Sequence, residues 1–276
     1  MKKKVSFSRL IMYLLLIFLA FVYLLPIWSA ITTSTKSTEQ VALTTPVTPV
    51  FPPHFEAYRI AFSELKRPII NSLAFTVFAT IFSTVLGSLA GFALAKLIRS
   101  TTSKKLLVLI TFGIFIPYQA ILIPLVRIIS SLGLYNTIPG LILTHTAYGI
   151  PITTLLFTNY YYEIPDELVE AAKVDGANPL KIYTSVVLPI SKPAFVVTAI
   201  YQFVNIWNDY LFGVVLTRGE EAMPATVKLA NLKGSFVANW NIQMAGALIV
   251  ALPTLFIMIA LGKYLIRGYT TGALKE

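Results

Sequence analysis

The stretch Ile69–Ala95, IINSLAFTVFATIFSTVLGSLAGFALA, carries no charged residue from end to end. A helix rises 1.5 Å per residue, so about 20 apolar residues cross the ~30 Å hydrocarbon layer of a bilayer. This run is longer than that. Five others share its character: Leu10–Ile31, Leu106–Val126, Ile138–Phe157, Ala194–Leu216 and Met244–Gly262, of which only Ala194–Leu216 contains a full charge, Asp209. The whole chain of 276 residues is 56% hydrophobic and 12% charged, with a mean hydropathy of +0.75. Soluble domains carry about 25% charge, so too little polar surface is left here to cover a water-soluble body. The pattern predicts an all-α membrane protein of six transmembrane helices with short helices on the cytoplasmic side.

Charge and composition narrow the reading. Lys2, Lys3 and Lys4 precede the first run, as in a signal peptide, but a signal core spans only about 7–15 residues, so Leu10–Ile31 is expected to be a retained helix. The net charge of +10 comes from basic residues that flank the apolar runs, which speaks for membrane orientation and against a nucleic-acid partner. Lys2, Lys3, Lys4, Arg9, Lys96, Arg99, Lys104, Lys105, Lys173, Lys181, Lys192, Lys263, Arg267 and Lys275 all fall on the N-terminal side of a six-span topology. That bias predicts cytoplasmic N- and C-termini in a cell inner membrane, although Lys66 and Arg67 run against it. There is no cysteine, and the two histidines, His54 and His145, are far apart. Disulfides, thiolate metal centres and cysteine nucleophiles are excluded, and no metal site is expected.

The organisation expected is an N-terminal helix with an outer loop (residues 1–68), a transmembrane core (69–276), and within it a cytoplasmic loop (159–193). Pro46, Pro49, Pro52 and Pro53 suit an irregular outer segment from Thr32 to Pro68, and Arg218–Gln243 is a second outer loop. Ser83, Gly87, Gly91 and Ala95 place a small residue every four along one helix. Such a stripe lets backbones approach closely in lipid, either within this chain or on a partner subunit.

The polar stretch between the fourth and fifth runs is IPDELVEAAKVDGANPLKIYTSVVLP, Ile164–Pro189. Pro165 is placed to open a helix, with Asp166 and Glu167 in its first turn, where the helix dipole favours acids. Gly176 is a natural left-handed cap, Pro179 can start a second short helix, and Pro189 is expected to stop it. Small Ala171, Ala172 and Ala177, apolar Leu168 and Val174, and acidic Glu170 and Asp175 would form a compact element that docks into a cleft of another protein.

This stretch resembles the EAA motif of ABC-importer permeases: Glu170-Ala171-Ala172, Gly176 after three more residues, then Val186 and Leu188-Pro189 at the family's spacing, with Val186 where isoleucine is commoner. Asp175-Gly176-Ala177 matches the carbohydrate branch. Asn71-Ser72, Pro124-Leu125, Gly133-Leu134-Tyr135-Asn136-Thr137, Gly140-Leu141-Ile142, Phe203, Trp207-Asn208 and Gly272-Ala273-Leu274-Lys275 are similar to the maltose-type inner permease, and Trp240–Gly246 leans toward glucose-type permeases. The resemblance implies a type I importer fold. It also implies a second permease subunit in a heterodimer, two ATPase subunits and an extracellular sugar-binding protein. Glu170, Ala171, Ala172, Asp175, Gly176, Ala177, Leu188 and Pro189 would then couple to the ATPase. The sequence has no GxxxxGK[ST] phosphate loop, so ATP and Mg belong to the partner ATPase, and this chain is expected to be no enzyme and to bind no cofactor.

The candidate substrate path rests on the polar residues inside the runs. Asp209 is costly in lipid, about 2.5–3.5 kcal/mol on insertion scales, and should face a cavity or a partner group. Asn205, Asn208 and Trp207 stand beside it, the amides suited to sugar hydroxyls and the indole to a sugar face. His145, Tyr118 and Gln119 are weaker candidates, since an isolated polar residue in a span is often bonded to a neighbouring helix. Two further function classes compete, besides an importer of a non-sugar solute. An ion-coupled secondary transporter would carry paired broken helices and more intramembrane charge. An intramembrane enzyme would need a nucleophile–base pair or metal cluster.

Overall fold

The computed structural model describes residues 7–98, 101–232 and 239–273, with side chains described from 8 to 262 within those ranges. Lys2, Lys3, Lys4, Arg99, Leu274 and Lys275, used above for orientation or resemblance, lie outside the described residues, as do the side chains of Lys263 and Arg267. The described chain is helical, with no strand. It divides into two compact units, one formed by residues 1–66 and 228–251 and the other by 67–227 and 252–276.

In the first unit, α1 (Phe7–Ser34) is apolar all round, and none of its most hydropathic stretch is buried within this chain. A helix of that kind needs lipid or another subunit as its solvent. Helix α2 (Thr38–Leu43) starts with a capping box: the Ser37 hydroxyl accepts from the Gln40 amide at 3.2 Å, and the Ser37 amide donates to the Gln40 side chain at 3.0 Å. The proline-rich segment after it is pinned back on α1. The Trp28 indole donates to the Val47 carbonyl at 2.9 Å, the Thr32 hydroxyl donates to Pro46, and the His54 amide donates to the Thr35 carbonyl at 2.9 Å. The buried Lys36 ammonium donates to the Thr45 carbonyl at 2.7 Å.

The outer segment is therefore far less irregular than its prolines suggest. Helix α3 (Glu56–Phe92) begins well before the apolar run and carries Pro68 inside it. Ala57, Ala61 and Leu65 bury one face at four-residue spacing, which outweighs the single ladder bond that Pro68 cannot make.

The second unit is built on close contact between α3 and α6 (Ile138–Tyr162). A Cβ on Gly87 would fall 2.0 Å from the Thr153 hydroxyl, and one on Gly91 would fall 2.9 Å from the Thr158 amide nitrogen. The Thr153 hydroxyl donates to the Ser83 carbonyl at 2.9 Å. The small-residue stripe thus packs within this chain.

Two of the six runs are not straight. The third is broken into α4 (Thr101–Phe112) and α5 (Leu122–Ser131), and the two halves, extended by 3-10 turns to Phe115 and from Tyr118, meet at 86°. Pro117 forces the residue before it out of the helical region, and Ile116 is extended at ψ 118°. The fifth is α10 (Lys192–Trp207) followed, after Asn208–Tyr210, by α11 (Leu211–Leu216). Among the described residues four helices are long and apolar enough to span alone, or six if two bent pairs, Thr101–Phe115 with Tyr118–Ser131 and Pro179–Ile190 with Lys192–Trp207, each count as one. After α11, α12 (Ala225–Asn231) leads toward α13 (Trp240–Ala273).

Several residues that carried the family resemblance hold loops. Asn71 donates to the carbonyls of Glu220 and Met223 at 3.2 Å, and Ser72 accepts from the Ala225 amide at 2.9 Å. Gly133 and Asn136 take left-handed backbone, and Asn136 ties the end of α11 through its amide to Leu216 and its side-chain oxygen to the Arg218 amide.

Candidate functional site

The loop between α6 and α10 folds as the helix punctuation requires at its first turn and differs at its end. Helix α7 (Asp166–Val174) has Pro165 as its N-cap and Asp166 and Glu167 in its first turn. It closes in a Schellman arrangement: the Gly176 amide donates to Lys173 at 3.0 Å, the Ala177 amide to Ala172 at 2.9 Å, and Gly176 sits at φ +79°. Helix α8 (Pro179–Ile182) is capped by Asn178, whose side chain accepts from the Lys181 amide at 2.8 Å.

Pro189 does not stop this segment. The chain runs through a π turn, Tyr183–Val187, into α9 (Leu188–Ile190), which contains the proline. A π turn already departs from the i→i−4 ladder, so the missing amide of Pro189 costs little there. The bend, 80°, comes at Ser191.

Val169 is fully buried and anchors α7 on a cluster that includes Phe92, Phe157, Tyr161 and Ile182. Leu168, Glu170, Ala171, Val174, Asp175, Gly176 and Pro189 face outward. Ala172, Ala177 and Leu188 are half-buried against that same cluster. Ala172, Asp175, Gly176 and Ala177 also line a hollow of about 430 Å³ between the short helices, together with Lys181 and Ser185. The element thus offers exposed apolar side chains, acidic groups and a recess, which is what a protein partner can grip.

A second site lies within the transmembrane region. A cavity of about 500 Å³ is lined by Tyr118, His145, Tyr148, Tyr201, Gln202, Asn205, Asn208, Asp209, Tyr210 and Phe212, among others. Asp209 interrupts the fifth run: its carboxylate accepts from the amides of Phe212 at 3.0 Å and Gly213 at 3.3 Å, and so caps the first turn of α11. His145 Nε2 stands 3.8 Å from the same carboxylate oxygen, and its ring stacks on Phe75 at 5.4 Å with its edge toward Phe212. The Asn205 and Asn208 side-chain amides each donate to a carbonyl one turn back, Tyr201 and Val204, at 2.8 Å. Gln202 donates to the Ser83 hydroxyl at 2.9 Å.

The structure brings Tyr118, His145, Asn205, Asn208 and Asp209 together around the cavity and leaves Gln119 and Trp207 out of its lining. Trp207 is fully buried and stacks on Phe203, with ring centroids 5.9 Å apart. Tyr148, Tyr201, Gln202 and Tyr210 were missed. A helical spacing pointed to Tyr201, which follows one face with Asn205 and Asn208 at the end of α10. Among the described residues the lining has no lysine or arginine.

Residues 83–270 match the family of binding-protein-dependent transport system inner membrane components. This chain belongs to that family. A probable ABC transporter permease of Pyrococcus horikoshii is 81% identical over 99% of both chains. The xylose/arabinose import permease of Haloferax volcanii is 36% identical across 98% of this chain and 94% of its own. Among solved structures, a bacterial ABC transporter involved in import of the acidic polysaccharide alginate is similar at a TM-score of 0.75 and 25% identity, over 95% of this chain and 99% of that one. The methionine transporter MetNI shares the fold, with a TM-score of 0.61 at 20% identity, over 74% of this chain and 95% of that one. Family membership makes the permease an inner-membrane transport subunit that works with an ATPase and a solute-binding protein.

Proposed function

We propose that this permease is one of two non-identical channel-forming subunits of an ATP-driven importer of neutral sugars. An extracellular binding protein delivers the sugar. The complex holds two ATPase subunits, which bind the ATP and Mg, and one of them docks on the loop between α6 and α10 from the cytoplasm, where both termini also lie. This chain itself binds no cofactor. Glu170, Ala171, Ala172, Asp175, Gly176, Ala177, Leu188 and Pro189 form the coupling element, with Glu170 and Ala171 on its outer face and Ala172, Ala177 and Leu188 shaping its support.

The observation that carries the sugar assignment is the end-to-end likeness to a xylose/arabinose import permease. The cavity has the chemistry such a cargo needs. Asp209 and the amide oxygens of Asn205 and Asn208 accept from hydroxyl groups, while Tyr118, Tyr148, Tyr201 and Tyr210 offer rings to the C–H faces of a sugar. A carboxylate that keeps 15% of its side chain exposed, with no lysine or arginine among the described lining residues, favours uncharged cargo over a uronate.

The test is uptake into proteoliposomes holding the complete complex, with ATP inside and loaded binding protein outside. ATP-dependent entry of xylose, glucose or a small oligosaccharide, with little entry of glucuronate, is the expected result. Uptake that proceeds without ATP and follows an ion gradient would refute the proposal.

A further inference from the structure

We infer that Lys96 is a positioning residue for energy coupling, a buried ionic latch that joins the start of α7 to the end of α3. The inference rests on the importer reading above. Lys96 lies in the π turn Ala93–Leu97 that finishes α3, and only 2% of it is exposed. Its ammonium donates to the Ile164 carbonyl at 2.6 Å and to the Asp166 carboxylate at 2.6 Å. Ile164 is buried just ahead of α7, and Asp166 is the first residue of that helix. A lysine is almost never fully buried unless paired, and its link to the half-exposed Asp166 favours one arrangement of the elements it joins, because removing the carboxylate strands the buried charge.

The loop meets α3 a second time. The Tyr183 hydroxyl, in the π turn after α8, lies 2.8 Å from the Ser88 hydroxyl, and its ring packs on Phe92 at 5.4 Å between centroids. Both short helices of the loop are thus tied to the last turns of α3. Further along the same helix, Ser83 holds Gln202 of the cavity lining, and Gly87 and Gly91 seat α3 on α6 without room for a Cβ. A displacement of α7 by an ATPase subunit therefore has a stiff, contiguous path to the cavity: the Lys96 latch, then α3, then the Ser83–Gln202 bond. The latch is an ionic link in that path, and its geometry decides whether α3 follows α7.

The experiment compares variants in the complete complex in proteoliposomes, with xylose as the probe. Lys96→Met removes the ammonium at similar volume. Asp166→Asn removes the carboxylate at a half-exposed position. Asp166→Glu restores the charge. Each of the first two should lower binding-protein-stimulated ATPase and uptake per ATP by roughly fivefold or more, the range of a coupling free energy between sites. The double variant should be no worse than the worse single one, since both break one link. Asp166→Glu should stay near wild type. Wild-type stimulation and uptake per ATP in both charge-removing variants would overturn the inference. Less complex, but with normal coupling in what assembles, would overturn it too, because Lys96 would then be purely structural. If Lys96→Met does not assemble, Asp166→Asn decides; if neither assembles, the positioning role is likewise rejected. A wild-type complex that takes up no xylose counts against the importer reading for that sugar, and the latch is then read from binding-protein-stimulated ATPase alone.

Discussion

Replacing Gly176 by alanine isolates the backbone contribution at the turn between α7 and α8. Gly176 holds φ at +79°, and a Cβ there would meet nothing within 4 Å, so no steric clash is added. The cost is conformational, about 1–2 kcal/mol for an L residue in the left-handed region. That is a factor of roughly 5–30 in the population of the turn as it stands. The alternative is for the residue to leave that region, which breaks the hydrogen bonds from the Gly176 amide to Lys173 and from the Ala177 amide to Ala172 and turns α8 away from the hollow it helps to line. Asparagine tolerates left-handed backbone and should cost less, whereas β-branched valine should cost more. The expected order is therefore Gly, Asn, Ala, Val, from best to worst. It is measured both as ATPase subunit co-purified with each variant and as binding-protein-stimulated ATPase activity. A flat series would mean that the turn does not position the coupling element. Equal losses for Asn, Ala and Val would mean that contact with the partner, and not the backbone, makes glycine necessary.

Other substitutions test other parts. Gly87→Leu should overpack the contact between α3 and α6, costing about 1–3 kcal/mol, and appear as a lower Tm of the detergent-solubilised complex. Asp209→Asn keeps an acceptor for the Phe212 and Gly213 amides but removes the charge, so sugar KM should change while the amount of assembled complex does not; unchanged uptake kinetics would refute the path-lining role. Trp207→Ala should cost about 3–5 kcal/mol of stability, with little change in sugar KM in whatever complex assembles, because Trp207 packs on Phe203 and stays out of the cavity lining. A large KM effect from Trp207→Phe, which keeps most of the packing, would overturn that placement.

Run length made the spanning helices legible, and backbone-specific residues made α7 and α8 legible, because Gly176, Asn178 and Pro179 act through geometry that any surrounding fold must respect. The breaks inside the third and fifth runs were hidden for the converse reason. Summed hydropathy does not register what Pro117 does to Ile116, or that the Asp209 carboxylate competes with the helix ladder for two amides. The early start of α3 was hidden because its buried face there is only Ala57, Ala61 and Leu65, set among Glu56, Arg59, Glu64, Lys66 and Arg67. Lys96 illustrates a further blind spot. Beside an apolar run a lysine reads as an orientation signal, and only the folded chain, which brings Ile164 and Asp166 to it, reveals a buried latch.

Asp209 ties the break in the fifth run to the cavity. A carboxylate in a span is tolerated where donors replace water, and here the first turn of α11 supplies two amides while His145 Nε2 stands 3.8 Å away. The two amides meet one oxygen, Oδ2, and His145 Nε2 stands beyond hydrogen-bond distance of it, while the side chain keeps partial exposure to the cavity. The arrangement therefore spends the helix end on holding the group in place and leaves acceptor capacity for a solute hydroxyl. The break in the fifth run follows from this division of labour. An unbroken helix would satisfy the amides of Phe212 and Gly213 with carbonyls one turn back and leave the carboxylate uncapped in a dry span. Stopping α10 at Trp207 and restarting at Leu211 stabilises the charge and opens backbone at the same point. Interrupted helices at membrane depth are tolerated where they line a cavity, and this one does.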